Sequence, residues 1–244
     1  MSIQLVTDAS DNRLAQLSAL LNATFPDPNT VLGLDRMQEF LSANREDAAR
    51  RFCVLVAEDG GRVTGGAVFS YVVGSNCGFS EYIIADLAVR GRGLGRELFD
   101  ARKALLDAEA ARRGHVASNG LFIEVDNPER TPADFAEAER ATSLDTLERL
   151  RLFDHLGFRR VNLPYVQPPL AKGKLAIDYM DLLFAPWHPA SLQQIPADWV
   201  FDTVEPVWSA WTPDTYSKHL ARLRRAVQTS DVVLLDLMDR SGAA

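Results

Sequence analysis

Hydrophobic positions follow two spacings along the first 185 residues, and the order of those spacings predicts a mixed α/β fold. Leucines at positions 14, 17, 20 and 21 repeat at the period of one helix face. Runs 52–58 and 62–73 flank Asp59-Gly60-Gly61, a turn typical of a β-hairpin. The same criteria predict strands at 3–6, 52–58, 62–73, 80–89, 121–126, from 158 and at 176–184, and helices at 11–24, 33–50, 94–113 and 146–156.

These elements follow the order β-α-α-β-β-β-α-β-α-β-β, and a polar insertion at 128–145 is expected to hold a short acidic helix. The composition changes after residue 185, because all four tryptophans and five of the twelve prolines lie between 186 and 213. We therefore divide the chain into a domain at 1–185 and a helical, Trp/Pro-rich C-terminal extension at 186–244. The extension is expected to anchor across its own domain, with a lid over a substrate cleft or a homodimer contact as alternatives.

Composition and charge exclude several classes of protein. The 244 residues are 47% hydrophobic and 24% charged, as in an ordinary globular protein, and the net charge of -7 argues against a general nucleic-acid binder. No apolar run is long enough to span a membrane, and the N-terminal residues lack the pattern of a signal peptide, so we expect a cytoplasmic protein that does not bind membranes. Two cysteines and four scattered histidines predict neither a disulfide nor a metal site.

The stretch from Arg90 to Arg96, Arg-Gly-Arg-Gly-Leu-Gly-Arg, joins a predicted strand to a predicted helix. Unpaired N–H groups at a helix start, together with glycines that let a ligand approach the backbone, favour an anion site. A tight turn with solvated arginines explains the bare glycine pattern equally well. The stretch lacks the Gly-Lys-Ser/Thr of a P-loop, does not suit a dinucleotide-binding βαβ unit, and is too short for an arginine-glycine RNA-binding segment.

This loop resembles the Arg/Gln-x-x-Gly-x-Gly/Ala motif of the GNAT family of acyl-CoA-dependent acyltransferases. Phe153-Asp154-His155-Leu156-Gly157-Phe158 is similar to the second motif of that family, which usually begins with tyrosine. The resemblance covers about residues 1–185 and implies a mixed, mostly antiparallel sheet flanked by helices, with acetyl-CoA as co-substrate. It implies that the backbone of Leu87 and Val89 pairs with the pantetheine arm. The other residues that it assigns to CoA binding are Arg90, Gly91, Arg92, Gly93, Leu94, Gly95, Arg96 and Asn127.

The reaction that this resemblance implies is attack of a small-molecule or peptide amine on the thioester. It needs an oxyanion donor, for which the Val89 region is the candidate, a proton acceptor for the amine, and a proton donor for the CoA thiolate. Glu81 is a candidate for the acceptor because alternation along the predicted strand puts it on the same face as Leu87, and Glu124 is a candidate because it lies on the neighbouring strand.

Phe153 occupies the position where the family often has its tyrosine donor, so Tyr165, Tyr179 and His155 are the remaining candidates, with solvent as another source of the proton. Of these we select Tyr165 as the third catalytic candidate. An alternative is a CoA-binding sensor without activity.

Overall fold

The computed structural model describes residues 1–142, 145–189 and 191–238. Within these ranges one sheet contains nine strands, numbered in chain order: β1 (Ser2–Val6), β2 (Arg50–Asp59), β3 (Arg62–Val72), β4 (Cys77–Ala85), β5 (Gly120–Asp126), β6 (Arg159–Val161), β7 (Met180–Pro186), β8 (Gln194–Pro196) and β9 (Asp231–Leu235). The α-helices are α1 (Arg13–Thr24), α2 (Leu34–Ser42), α3 (Leu94–Arg112), α4 (Ala133–Thr142), α5 (Thr146–His155), α6 (Ala197–Trp211) and α7 (Tyr216–Ala226). None of the helices in these ranges combines the length and apolarity that a membrane crossing requires.

The sheet is antiparallel except at one pair of neighbours near its centre. Its strands lie in the order β1-β2-β3-β4-β5-β7-β6-β9-β8, and only β4 and β5 run parallel. Hydrophobic side chains form a cluster on each face, as expected when successive residues of a strand point to opposite sides. The predicted mixed, mostly antiparallel sheet flanked by helices is therefore confirmed.

The parallel pair separates after a short contact. Residues Cys77–Ser80 of β4 pair with Gly120–Ile123 of β5, and the two strands continue beyond that point without pairing. On the other side of β4 the register shifts, because Phe69 lies opposite Ser80 and Val68 lies opposite Tyr82. Glu81 is thus the extra residue of a β-bulge at the point of separation, and a bulge bends its strand. The result is an opening between β4 and β5.

Two predicted elements end earlier than expected. The helix predicted at 33–50 stops at Ser42, and the side chain of Asn44 instead bonds the backbone of Phe52, donating to its oxygen at 2.7 Å and accepting from its nitrogen at 2.9 Å. The strand predicted at 80–89 stops at Ala85, and a 3₁₀ turn follows at Leu87–Val89. In that turn the Asp86 carboxylate accepts from the N–H of Ala88 at 2.9 Å. Both endings come from hydrogen bonds that periodicity does not register.

The extension packs against the rest of the chain. Trp208 and Trp211 on α6 are buried, and Trp211 meets Phe79 of β4 edge-on with ring centroids 5.8 Å apart. Strand β9 pairs with β6, so the extension also widens the sheet. These contacts agree with the expected anchoring of the tryptophans on their own domain. A homodimer formed through the extension stays a prediction.

We expect Gly120→Ala to destabilise the protein by about 1–3 kcal/mol, because a Cβ there would overlap the backbone oxygen of Ala185 and lie 2.5 Å from Cζ of Phe184. Gly74→Ala is the matched control, since its Cβ would have only an ordinary contact of 3.7 Å with Asp202. Urea unfolding of the two variants checks this expectation. Equal stabilities would show that the close approach of β5 and β7 is not a constraint on the sheet.

Candidate active site

A cavity of about 90 Å³ lies where β4 and β5 separate. Residues 80–83 of β4 and 123–126 of β5 form two of its walls. The remaining walls come from the loop between α1 and α2, from α5, from the segment before β7, from the first residue of β7, and from the end of α6. They include Thr30, Leu32, Arg149, Phe153, Gln167, Leu170, Met180 and Trp211. Trp211 belongs to the C-terminal extension, so one residue of the extension lines the cavity, as the alternative of a lid requires.

Glu81 projects from the bulge into this cavity, with a side chain that is 3% exposed. Its Oε1 accepts from the Ser70 hydroxyl at 3.2 Å and lies 3.7 Å from Nη1 of Arg50. Its Oε2 has no partner among the described residues. Burial raises the pKa of Glu81 to about 7, although the positive charges of Arg50 and Arg102 oppose the rise. Glu81 is therefore a carboxylate with one oxygen held and one oxygen available.

Glu124 lies on the opposite wall, and both of its oxygens accept hydrogen bonds. The Tyr165 hydroxyl donates to Oε1, and Nε2 of Gln167 donates to Oε2 at 2.6 Å. Burial raises the pKa of Glu124 to about 7, and the negative charge of Glu81 adds to the rise. No arginine contributes to this shift, in contrast to Glu81. The structure therefore gives two neighbouring carboxyl groups different electrostatic surroundings.

Tyr165 lies behind Glu124, which it touches, and it is not in the cavity wall. Burial and the adjacent Glu124 charge raise the pKa of Tyr165 well above its usual range. The other two candidate donors lie elsewhere: Tyr179 donates to Asp27 at 2.7 Å, and His155 is exposed on α5. Phe153 does line the cavity, packed edge-on against Phe158, and offers no proton. Glu81 and Glu124, the two predicted proton acceptors, both line the cavity, although the bulge at Glu81 breaks the period-two count that suggested it. Sequence reasoning missed Gln167.

The glycine-rich loop leads into α3 with a row of free amides. Gly91 and Gly93 have φ of 75° and 85°, and a Cβ at position 91, 93 or 95 would meet nothing within 4 Å. The amides from 91 to 95 have no acceptor in the described part of the chain, whereas those of Arg96 and Glu97 donate to the Gly93 oxygen. This combination of open space, free N–H groups and the positive end of a helix suits a pyrophosphate.

The side chains of the loop arginines are partly engaged. Nε of Arg90 donates to the backbone oxygen of Ala85 at 3.3 Å, Arg96 pairs with Asp100 at 2.9 Å, and Arg92 is exposed. Asn127, which follows β5, donates from Nδ2 to Asp181 at 2.8 Å and accepts from the N–H of Glu129. The Asn127 side chain therefore holds the turn after β5 in this conformation.

Leu87 and Val89 belong to a 3₁₀ turn and do not continue β4. Their backbone therefore lacks the extended conformation that the predicted pairing with the pantetheine arm requires. Leu87 is exposed, its oxygen accepts from the N–H of Arg90, and the Val89 N–H donates to Asp86 at 3.0 Å. The Val89 N–H is thus not available to an oxyanion in this conformation. No group of three or more metal-ligating side chains occurs among the described residues.

Comparison with known proteins identifies the fold. Residues 14–130 match the model of the acetyltransferase (GNAT) family. The structure is similar to a protein of Bacteroides thetaiotaomicron assigned to that family, with a TM-score of 0.52 and 16% identity over 75% of this chain and 86% of that chain. It is also similar to a tandem GNAT protein from the clavulanic acid biosynthesis pathway, with a TM-score of 0.50 and 19% identity over 68% of this chain and 46% of that one. Comparison with curated proteins gave no match.

The buried Glu124 carboxyl makes stability depend on pH. Its pKa is about 7 when folded against 4.5 ordinarily, so the native state binds more protons than the unfolded state between these values. The free energy of unfolding should therefore fall as the pH rises from about 4.5 to about 7. The new side chain of the Glu124→Gln variant cannot ionise, and Tyr165 can accept a hydrogen bond from the new amide. Over this pH range we therefore expect the free energy of unfolding of the variant to fall by on the order of 2 kcal/mol less than that of the wild type.

Urea unfolding at several pH values, followed by tryptophan fluorescence, measures this difference. Glu137→Gln is the matched control, because Glu137 is exposed on α4 and the substitution changes the net charge equally. The same pH dependence in Glu124→Gln and in the wild type would contradict the burial of an ionisable group at this position.

Proposed function

Because this chain belongs to the GNAT family of acetyltransferases, we propose that it transfers an acetyl group, or another short acyl group, from acyl-CoA to a primary amine by direct attack in a ternary complex. The family fold supports acyl transfer from acyl-CoA to amines in general. The finer proposal rests on one observation: β4 and β5 separate into a cavity that has Glu81 on one wall and Glu124 on the other.

The donor site in this proposal is the loop before α3, with acetyl-CoA as the co-substrate. The amides from Gly91 to Gly95 would hold the pyrophosphate. They are free, they lie at the start of a helix, and the space beside the glycines is open. The pantetheine arm would then follow the opening between β4 and β5, whose unpaired edges begin after Ser80 and Ile123. This route places the thioester beside the two carboxyl groups.

Glu81 acts as the base in this proposal, and Glu124 acts as the acid. Arg50 and Arg102 favour the ionised form of Glu81, and its free Oε2 can take the proton of the attacking amine. Glu124 has only neutral donors and the negative charge of Glu81 beside it, so it keeps a proton more readily. A pair of carboxyl groups in unlike surroundings divides acid and base roles in this way.

The proton balance follows from these assignments. The amine nitrogen forms a bond to the acyl carbon while Glu81 takes its proton, and the carbon–sulfur bond breaks while Glu124 gives a proton to the departing thiolate. Phe153 cannot supply that proton. Tyr165 is a positioning residue in this proposal, since it orients the Glu124 carboxyl from behind.

Gly93→Val tests the donor site. The branched side chain fills the open space at an amide of the loop and strains a φ of 85°, so we expect the Kd for CoA to rise at least tenfold, about 1.4 kcal/mol. Gly114→Val is the matched control, because Gly114 also has a φ of 85° and open space but follows the other end of α3. Calorimetry with CoA measures both affinities. Equal affinity in both variants would rule out this loop as the CoA site.

Glu81→Gln tests the base. We expect kcat to fall by about 10²–10⁴ and the rise of kcat/KM with pH near 7 to disappear, because that rise reports ionisation of Glu81. Glu124→Gln should instead remove the fall of kcat/KM at higher pH, because that fall reports loss of the Glu124 proton. Tyr165→Phe removes a hydrogen bond that lowers the pKa of Glu124, so the fall should move to higher pH. If Glu124→Gln removes the rise and Glu81→Gln keeps it, the two roles are assigned wrongly.

Two measurements on the wild-type protein distinguish an enzyme from a CoA-binding sensor. Calorimetry with acetyl-CoA reports binding, and thiol release over a panel of amines reports transfer. Binding together with release supports the proposed function. Binding without release on any amine favours the sensor.

A further inference from the structure

The cavity between β4 and β5 contains buried polar atoms that no described residue satisfies. They include Oε2 of Glu81, Oε1 of Gln167 and Nε1 of Trp211, and these three residues line the cavity. Gln167 is 4% exposed and Trp211 is 2% exposed. A buried polar atom without a partner costs roughly 1–3 kcal/mol, so three around one small space call for a common explanation. A bound molecule that pairs with them supplies it.

Gln167 is held in a fixed orientation. Its Nε2 donates to Oε2 of Glu124 at 2.6 Å. Its backbone forms a two-hydrogen-bond bridge with Ile177, each bond 2.9 Å long, and prolines follow at 168 and 169. The unpaired carbonyl oxygen of Gln167 is therefore a rigid acceptor rather than a side chain that can turn away.

The unpaired atoms define the chemistry of a partner. Two of them, on Glu81 and Gln167, accept hydrogen bonds, and an amino group supplies the donors that both need. The third, the indole N–H of Trp211, can only donate and requires an oxygen or a similar acceptor. The cavity is also smaller than the ~150 Å³ space that admits benzene. The part of the occupant that lies inside the cavity thus has few non-hydrogen atoms, among them an amine and an acceptor atom.

We propose that the acceptor is a small primary amine that also carries a hydroxyl or carbonyl oxygen, with Gln167 binding the amino group and Trp211 binding the oxygen. This inference rests on the proposed acyl transfer at the same cavity. It assigns specificity to two residues that lie outside both GNAT-like motifs, one in the segment before β7 and one in the C-terminal extension.

The test compares amines of equal size that differ in their oxygen. With acetyl-CoA as donor, we expect the wild type to use 2-aminoethanol over propylamine, or glycinamide over isobutylamine, by at least tenfold in kcat/KM, since an unpaired indole N–H penalises the analogue. Trp211→Phe should bring both ratios close to one through slower use of the oxygen-bearing amines. Gln167→Leu should raise the KM for all four amines.

Trp199→Phe is the matched control, because Trp199 packs against Phe184 outside the cavity wall and should keep the wild-type ratios. Transfer to propylamine, isobutylamine or putrescine without any preference for the oxygen-bearing amines would overturn the inference and leave the proposed function standing. Ratios unchanged by Trp211→Phe would also overturn it. Absence of thiol release with every amine, while CoA still binds, would contradict the proposed function itself.

Discussion

The separation of β4 from β5 is the constraint on which the rest of the structure depends. Two parallel strands that stop pairing in the middle of a sheet leave backbone groups and side chains without their usual neighbours. The bulge at Glu81 on one side and the short pairing of Cys77–Ser80 on the other fix where the opening begins. Two carboxyl groups face this opening, and burial raises the pKa of each to about 7. This topology supports the proposed transfer of protons at neutral pH.

The C-terminal extension is part of this site in our interpretation. It buries Trp208 behind Tyr165, with ring centroids 5.9 Å apart, and it carries Trp211 into the cavity wall. The segment before β7 contributes Gln167 from another direction. The proposed donor loop and the proposed acceptor pocket thus come from different parts of the chain.

Sequence patterns predicted the parts of the fold that depend on local chemistry. The glycine loop could be predicted as an anion site because the pattern depends on consecutive residues, and its amides are free in the structure. Strand alternation suggested Glu81 and Glu124, and both line the cavity, but alternation could not predict that Glu81 is the extra residue of a bulge. The ends of α2 and β4 were missed because they depend on the hydrogen bonds of Asn44 and Asp86. The roles proposed for Gln167 and Trp211 have no local sequence signal, because they depend on distant segments of the chain that meet around one cavity.

The most direct measurement is a crystal structure of the protein with CoA bound. The proposed mechanism predicts phosphate oxygens within hydrogen-bond distance of the amides from Gly91 to Gly95, and the sulfur atom inside the cavity between Glu81 and Glu124. A complex in which the sulfur lies away from this cavity, and the pantetheine arm does not enter the space between β4 and β5, would contradict it.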